Sequence, residues 1–206
     1  MTQLTSITYE EPAPELRRRT IAAGEARVAV LTRTYPTTIE DLWDACTNPE
    51  RLARWYVPVT GDLRVGGTFQ QVHMGSGTIE ICSPPELLKV SLGGGVDEIE
   101  LRLSPGDDPD STQLELQHAT TADAHSIGGQ MYDAIYCMGG GYYPRLLALD
   151  RHLRGTLPAD YDSTAFHLKA IHRTMHAGLT ASLIDRATGA RQIFSLHQLK
   201  DLGLAG

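Results

Sequence analysis

Residues 35–69 constrain the fold most, because they place a pair of short helices between two strands. Pro36 biases the residue before it toward extended geometry, so a strand is expected to end there. The Thr37-x-x-Glu40 spacing is typical of a capping box and predicts the start of a helix. Asn48-Pro49 predicts a second start, since Asn caps free amides and Pro fits the first helical position. Gly66-Gly67 then indicates a turn into the next strand.

The remainder of the central chain alternates between strand patterns and turn residues. Strands are predicted over residues 25–35, 67–74, 78–82, 87–92, 96–103 and 111–121. Because short turns join them without intervening helices, they predict an antiparallel meander and not a parallel sheet. Glycine-rich residues 125–141 predict loops around at most one short helix. Residues 142–153 carry an apolar stripe at helical spacing and predict a helix.

Both ends of the chain are predicted to lie outside this core. Residues 1–25 read as a loosely ordered N-terminal arm, in which residues 16–23 could form a short helix. Residues 155–206 read as a helical C-terminal extension. Its apolar stripe comprises Leu168, Ile171, Met175, Leu179 and Leu183. Such a stripe needs burial on the domain or on a second copy, which leaves a homodimer open.

Composition excludes several classes of partner. The net charge is −7, so no general basic field favours nucleic acid. No run approaches the roughly 20 apolar residues of a membrane span, and the first residues have no apolar signal-peptide core. Cys46, Cys82 and Cys137 are odd in number and lack a CxxC spacing, which favours reduced thiols. These features predict a cytoplasmic protein that contacts neither nucleic acid nor membrane.

Several motifs together carry a family resemblance. The ordering LW-x-A-x-T-NPE-x-L-x-x-W, followed by GDLRVGG, GTIE, PPE-x-L and TQLELQH, spans residues 42–118. This ordering resembles the Hsp90-ATPase-activator-homologue-like branch of the START/Bet v 1 (SRPBCC) superfamily, over residues 26–154. The resemblance implies an α+β helix-grip fold, with a curved antiparallel sheet around a long C-terminal helix and a cavity between them.

If that cavity exists, seven residues are predicted to line it. They are Trp55, Tyr56, Phe69, Gln71, His73, His118 and Tyr142. Gln71 and His73 share a strand face with Phe69, so each would need a polar partner if this face is the cavity wall. The alternative is that the face is inverted or that both residues lie at the rim. Core packing is the alternative role for Trp55.

Two residues are candidates for acid–base chemistry, His118 and Glu80. His118 follows Leu114 and Leu116 on one strand face, where it could anchor a ligand or exchange protons near neutral pH. A buried structural histidine is the plain alternative. Glu80 could be a cavity carboxylate, although a strand glutamate is more often solvated.

Metal and cofactor signals are weak or missing from the sequence. His172 and His176 stand four residues apart in the extension, one turn after His167, but no His-Glu-x-x-His pattern surrounds them. The glycines at 93–95 enter a strand, and the chain has no Walker lysine and no GxSxG motif. We therefore expect no metal site and no cofactor.

Three functions compete at this point. The first is binding of a small, largely hydrophobic molecule in the cavity, oriented by Gln71, His73 and His118. The second is a cyclase- or aromatase-like enzyme acting on a polyketide-like substrate, with His118 or Glu80 as the acid–base group. The third is an Hsp90-type chaperone cofactor or another protein-interaction module, which a closed and fully packed cavity would favour.

Overall fold

The computed structural model describes residues 15–72, 74–127, 130–162, 181–185 and 191–194. The strands are β1 Glu15–Ile21, β2 Gly24–Tyr35, β3 Val59–Gly61, β4 Thr68–Gln71, β5 Gly75–Ser83, β6 Leu87–Leu92, β7 Asp97–Pro105, β8 Thr112–Thr120, β9 Ala124–Ile127, β10 Gln130–Asp133, β11 Ala181–Asp185 and β12 Arg191–Phe194. The helices are α1 Ile39–Thr47, α2 Pro49–Trp55 and α3 Ala134–Leu153.

One large sheet organises the molecule. Its strand order is β12-β11-β1-β2-β8-β7-β6-β5-β4-β3, and β9 and β10 form a separate hairpin. The predicted strands β4 to β8 follow one another in the sheet as they do in the chain, which confirms the predicted antiparallel meander. Strand β3, which was not predicted, pairs with β4 at the edge of the sheet. The pair β1 and β11 is parallel. A sheet of this order with helices on one face is the α+β helix-grip fold.

The helix pair begins close to where the sequence places it. Asn48 caps α2 by accepting the Glu50 N–H at 2.9 Å, and Pro49 occupies the first helical position as predicted. At α1 the cap is Thr38, whose hydroxyl accepts the Asp41 N–H at 3.3 Å. Thr37, the predicted cap, instead donates to the Asp41 carboxylate at 2.7 Å. The capping prediction was therefore wrong by one residue.

Polar contacts bind the helix pair together and to α3. The Trp55 indole N–H donates to the Ala45 carbonyl at 2.9 Å. Arg51 donates to the carboxylates of Asp41 and Asp44 at 2.8 and 2.9 Å, and its Nε lies 3.2 Å from Nε2 of His152 on α3. Burial would raise the pKa of the Asp41 carboxyl, but its hydrogen bonds with Arg51 and Thr37 hold that pKa below the ordinary value. At Asp44 the hydrogen bond from Arg51 is the largest effect and lowers the pKa, against a smaller effect of burial. The two helices are thereby held to each other and to α3.

The main core lies between the sheet and α3. Leu146, Ala148 and Leu149 of α3 belong to one buried cluster with Ala29 and Leu31 of β2. The Tyr35 hydroxyl donates to the Leu146 carbonyl at 3.2 Å, which ties the end of β2 to the helix. A second buried cluster lies on the other face of β2 and comprises Ile21, Ala26, Val28, Val30 and Ala119.

Three predictions of local structure were wrong. Residues 16–23 do not form a helix, because seven residue pairs join β1 to β2 as a tight hairpin in which Gly24 takes a φ of 125°. Leu183 lies in strand β11 and not in a helix. Residues 125–141 are not mainly loop, since they contain the β9–β10 hairpin and the start of α3.

The glycines Gly139–141 show why sequence reasoning misplaced the start of α3. Each glycine costs about 1 kcal/mol in a helix relative to alanine, which predicts a break. The helix nevertheless continues through them from Ala134. Tertiary packing outweighs this local cost, because α3 contacts β2, β8 and the helix pair.

Several predictions fall outside the described residues. They concern residues 1–14, His73, and the stretch containing Leu168, Ile171, Met175, Leu179 and the histidines His167, His172 and His176. The division into residues 1–25, 26–154 and 155–206 stays a prediction. Among the helices that the structure describes, none is long and apolar enough to cross a membrane.

Candidate functional site

A cavity of about 160 Å³ lies between α2, α3 and the concave face of the sheet, and it is partly open to solvent. Most of its wall is apolar. The sheet contributes side chains from β5 to β8, namely Ile79, Leu88, Val90, Ile99, Leu114 and Leu116. Trp55 closes the wall on the side of the helix pair, and Leu146 closes it on the side of α3.

A β-bulge shapes the wall at β5. Ile79 pairs with Val90 and Ile81 pairs with Lys89, so Glu80 has no residue opposite it in β6. The extra residue shifts the alternation of side chains by one. As a result Ile79 and Cys82, which are three residues apart, both line the cavity. Ile81 points away from the cavity and is 40% exposed.

The polar side chains of the wall gather at one end. Tyr56, Gln71, Tyr142 and Arg145 all line the cavity. Gln71 Nε2 donates to the Tyr56 hydroxyl oxygen at 3.3 Å, and Arg145 Nη1 donates to the same oxygen at 3.4 Å. We call these four residues the polar end of the cavity.

Arg145 is the cation of the polar end. Its guanidinium carbon lies 4.6 Å from the ring centre of Tyr56 and 5.1 Å from that of Tyr142. Its Nη2 lies 3.0 Å from Sδ of Met74. The side chain is only 6% exposed, so a permanent positive charge stands inside a mostly apolar cavity. Stacking on two aromatic faces compensates for part of the lost hydration.

A chain of close polar contacts leads from the polar end into the sheet. The Tyr142 hydroxyl lies 3.1 Å from Nδ1 of His118. Nε2 of His118 lies 3.4 Å from Oδ1 of Asp97, and Nε2 of His125 lies 3.5 Å from the same oxygen. Thr120 stands opposite Asp97 where β7 pairs with β8. His118 therefore reaches the cavity through Tyr142 and not directly.

Burial and charge set the protonation of this chain. Burial lowers the pKa of His118, more than the neighbouring Asp97 raises it. Burial alone would raise the pKa of Asp97, but its close contacts with His118, His125 and Thr120 together hold it well below the ordinary value. Burial raises the pKa of Tyr142, so its phenol stays protonated. A neutral His118 beside an ionised Asp97 keeps its proton on Nε2, which leaves Nδ1 to accept the Tyr142 proton.

The sequence-predicted cavity residues have different positions in the structure. Trp55, Tyr56, Phe69, Gln71 and Tyr142 line the cavity. His118 lies one contact behind it, and His73 lies outside the described residues. Glu80 is exposed on the outer face, where its carboxylate accepts the Ser91 hydroxyl at 2.6 Å. The structure does not bring Glu80 to the site.

Sequence reasoning missed Arg145 and Asp97. A signal for Arg145 was present, because it is a charged residue between Tyr142, Leu146 and Leu149 on the apolar stripe of α3. A buried stripe that contains an arginine indicates a functional or paired charge. For Asp97 the signal was its parity with Ile99 and Leu101 on the inward face of β7. In the described part of the chain, no group of three or more His, Cys, Asp or Glu side chains is arranged to hold a metal ion.

Taken together, the sheet, the gripped helix and the cavity define an α+β helix-grip protein of the SRPBCC superfamily. The family model described as "Activator of Hsp90 ATPase homolog 1-like protein" matches residues 36–138. The chain belongs to this family.

Solved structures agree with this assignment. The crystal structure of CalU16 from Micromonospora echinospora is 35% identical with a TM-score of 0.61, covering 76% of this chain and 91% of CalU16. Its solution structure is 32% identical with a TM-score of 0.63, covering 84% and 95%. PFC0360w, an HSP90 activator from Plasmodium falciparum, shares the fold at 17% identity with a TM-score of 0.51, covering 62% and 96%. A comparison with curated proteins gave no significant match.

Proposed function

We propose that this protein binds a small, largely hydrophobic molecule in the helix-grip cavity. The observation that carries the proposal is the form of the cavity, an apolar wall with its polar groups at one end. Binding sites for small molecules have this form, because apolar surface supplies affinity and a few polar groups fix orientation. The partial opening of the cavity also favours a small molecule over a chaperone-binding role, which a closed and fully packed interior would support.

The volume indicates the size of ligand that fits without rearrangement. The cavity of about 160 Å³ is close to the roughly 150 Å³ of an engineered apolar cavity that takes up benzene. One six-membered ring with a short substituent therefore fills it. A larger molecule would extend through the open side.

Thermal unfolding with butylbenzene tests the proposal. A ligand that binds only the folded state stabilises it by about 2.7 kcal/mol at a hundred times its Kd, so we expect the melting temperature to rise. Leu101 of β7 also lines the cavity, so Leu101→Phe places a larger side chain in the wall and should abolish the shift. Ile81→Phe adds the same side chain on the outer face of the sheet and should keep it. No shift in the unmodified protein, for butylbenzene and for smaller alkylbenzenes, would refute the proposal.

The chain of Asp97, His118 and Tyr142 favours a second candidate, an enzyme that moves a proton on the bound molecule. The Tyr142 oxygen would take a proton from the ligand while its own proton passes to Nδ1 of His118. The electron pair of the broken C–H bond would stay on the ligand as an enolate. Ionised Asp97 would stabilise the imidazolium that forms, as the carboxylate does in hydrolase triads. A cyclase- or aromatase-like reaction on a polyketide-like molecule would begin with such a step.

Deuterium exchange tests this second candidate without knowledge of the natural substrate. Propiophenone has an aryl ketone of suitable size and exchangeable hydrogens beside its carbonyl. In heavy water we expect the protein to accelerate their exchange, and Tyr142→Phe and His118→Gln to remove the acceleration. His152→Gln changes a histidine at the far end of α3 and should retain it. Exchange at the rate of buffer alone would exclude the proton-transfer role for aryl ketones and leave binding as the function.

A further inference from the structure

We infer that the ligand of this cavity carries a hydroxyl group, which donates to the amide oxygen of Gln71 and accepts the proton of the Tyr56 hydroxyl. The inference rests on the proposed function and adds the chemical class of the ligand, a small phenol or alcohol. It follows from two groups at the polar end, one acceptor and one donor, that the described part of the chain leaves without a partner.

Gln71 supplies the acceptor. The residue is half-buried in β4, and its side chain lines the cavity. Its Nε2 donates to the Tyr56 hydroxyl oxygen at 3.3 Å, whereas its Oε1 is buried and has no hydrogen-bond partner. A buried acceptor without a partner costs free energy, which a ligand that donates to it recovers. The terminal torsion of a glutamine side chain is soft, so a small rotation turns Oε1 toward a bound molecule.

Tyr56 supplies the donor from the C-terminal end of α2. In both of its hydrogen bonds the hydroxyl oxygen is the acceptor, from Gln71 Nε2 and from Arg145 Nη1 at 3.4 Å. Neither an amide NH₂ group nor a guanidinium group accepts a hydrogen bond, so neither contact uses the Tyr56 proton. The hydroxyl therefore holds a proton that no atom of the described residues accepts, and an acceptor on the ligand can take it.

The orientation of the Gln71 amide decides which groups are free. Turning the amide by 180° would let Oε1 accept the Tyr56 proton and would place the NH₂ group where the oxygen stands now. A ligand that only accepts hydrogen bonds would complement that arrangement. The orientation in the structure leaves one acceptor and one donor, which a ligand hydroxyl satisfies together. A ligand with an ether oxygen therefore distinguishes the two orientations.

A hydroxyl is the smallest group that completes this pair, because the same oxygen donates and accepts. An ether or ketone oxygen only accepts. An ammonium group only donates, and it would lose its hydration in a mostly apolar cavity. The cavity of about 160 Å³ accommodates one six-membered ring against the apolar wall. A phenol with a short alkyl substituent thus matches both the polar end and the wall.

Two pairs of ligands test the inference on the unmodified protein. 4-Ethylphenol and 4-ethyltoluene differ by a hydroxyl in place of a methyl group, and 4-ethylanisole and 1,4-diethylbenzene differ by an ether oxygen in place of a methylene group. Size is therefore constant within each pair. Affinities are measured by calorimetry or chemical-shift titration at pH 7.5, where a phenol with a pKa of about 10 is neutral. The phenol should gain more over its hydrocarbon than the ether does, since only the phenol donates to Gln71.

Variants of the polar end assign the effect to its residues. Gln71→Met has a similar length but no amide, and should weaken 4-ethylphenol about tenfold relative to 4-ethyltoluene, because the phenol proton is left without a partner. Tyr56→Phe removes only the hydroxyl and should weaken both the phenol and the ether relative to their hydrocarbons. Gln70→Met makes the same change at the exposed neighbouring position, on the opposite face of β4, and should alter neither comparison.

The outcomes separate this inference from the proposed function. If Gln71→Met leaves the ratio of the 4-ethylphenol and 4-ethyltoluene affinities unchanged, the inference is overturned and the binding function stands. If the ether gains as much over its hydrocarbon as the phenol does, no ligand donor is needed and the hydroxyl assignment is overturned. If none of the four probes binds, the proposed function fails as well. Should Gln71→Met not fold, Tyr56→Phe and the two ligand pairs decide.

Discussion

At the scale of the residue, burial decides the chemistry of His118. Its ring lies between Tyr142 and Asp97 and is only 7% exposed. Its neutral form suits both neighbours, because one nitrogen faces the Asp97 carboxylate and the other accepts the phenol proton. His125 also faces Asp97, and Arg145 adds a positive charge near the ring that opposes its protonation.

This arrangement predicts how stability depends on pH. Burial lowers the pKa of His118 below the value of 6.5 that it has in the unfolded chain. As pH falls through 6.5, the unfolded state therefore binds a proton that the folded state does not, and stability is lost. The slope approaches about 1.4 kcal/mol per pH unit for such a group.

Urea unfolding between pH 8 and pH 5 measures this slope. Stability contributed by His118 should be complete above about pH 7.5 and decline below about pH 6.5. His118→Gln should decline less steeply than the unmodified protein over this window. Burial and Arg51 lower the pKa of His152 as well, so His152→Gln should also flatten the decline. Equal slopes for the unmodified protein and His118→Gln would contradict the assignment.

Burial also distinguishes the two cysteines that the structure describes. Cys46 is buried, and burial raises the pKa of its thiol to about 12. At pH 8 such a thiol has about one thiolate in ten thousand molecules. Cys82 is exposed and, like Cys46, lines the cavity.

Thiol labelling with a disulfide reagent should separate them. In a Cys137→Ser background we expect one fast reaction at pH 8, assigned to Cys82 by its loss in Cys82→Ser. Cys46 should react only after unfolding. Butylbenzene should slow the fast reaction if it fills the cavity beside Cys82. Two fast thiols in the folded protein would show that Cys46 is accessible.

At the scale of the element, Gly77 joins two strands and an aromatic side chain. It pairs with Phe69 of β4 on one side and with Leu92 of β6 on the other. A Cβ atom there would lie 2.4 Å from the Ser91 carbonyl oxygen and 2.6 Å from the ring of Phe69. To accommodate this atom, the backbone at Ser91 and the buried ring of Phe69 would have to move, which lowers the stability of the folded state.

Gly77→Ala should therefore destabilise the protein by about 1–3 kcal/mol, the usual cost of overpacking. The measurement is the midpoint of urea unfolding. Ser76→Ala, at the exposed neighbouring position, is the control and should change stability by less than about 0.5 kcal/mol. A neutral Gly77→Ala would mean that the β4–β6 region adapts more freely than its close contacts suggest.

The cap of α1 offers a second test at this scale. Thr38 accepts the Asp41 N–H, whereas Thr37 contacts the Asp41 side chain. Thr38→Ala should cost about 1 kcal/mol, as is typical for the loss of a helix cap. Thr37→Ala removes a contact with a half-exposed carboxylate and should cost less. Urea unfolding followed by circular dichroism measures both losses of stability. A larger loss for Thr37→Ala than for Thr38→Ala would indicate that Thr37 is the cap.

At the scale of the whole molecule, the sheet and α3 depend on each other. Leu149 is fully buried between them, and Leu63 is 41% exposed near the cavity. Leu149→Ala should cost about 2–5 kcal/mol, because it removes buried contacts and leaves a cavity in the core. Leu63→Ala should cost well under half as much. Similar losses for both would mean that α3 does not carry the main core.

Some of this architecture could be read from the sequence alone. Local patterns determined the six central strands, the helix pair with its Asn48-Pro49 junction, and the amphipathic second half of α3. Each rests on neighbouring residues, such as an alternation of apolar side chains or a cap, so the chain encodes it without knowledge of distant partners. The same patterns placed Tyr56, Gln71 and Tyr142 on the elements that line the cavity.

Other features were decided only by the tertiary structure, because they depend on partners far apart in the chain. Strand β1 exists through its pairing with β2, and α3 runs through three glycines because it packs on the sheet. The bulge at Glu80 appears only when β5 is aligned with β6. Asp97, His118 and Tyr142 come from three elements, β7, β8 and α3. Arg145 is buried only because α3 packs against the sheet and the helix pair. Local periodicity shows which way a side chain points, but only the packed fold shows what it meets.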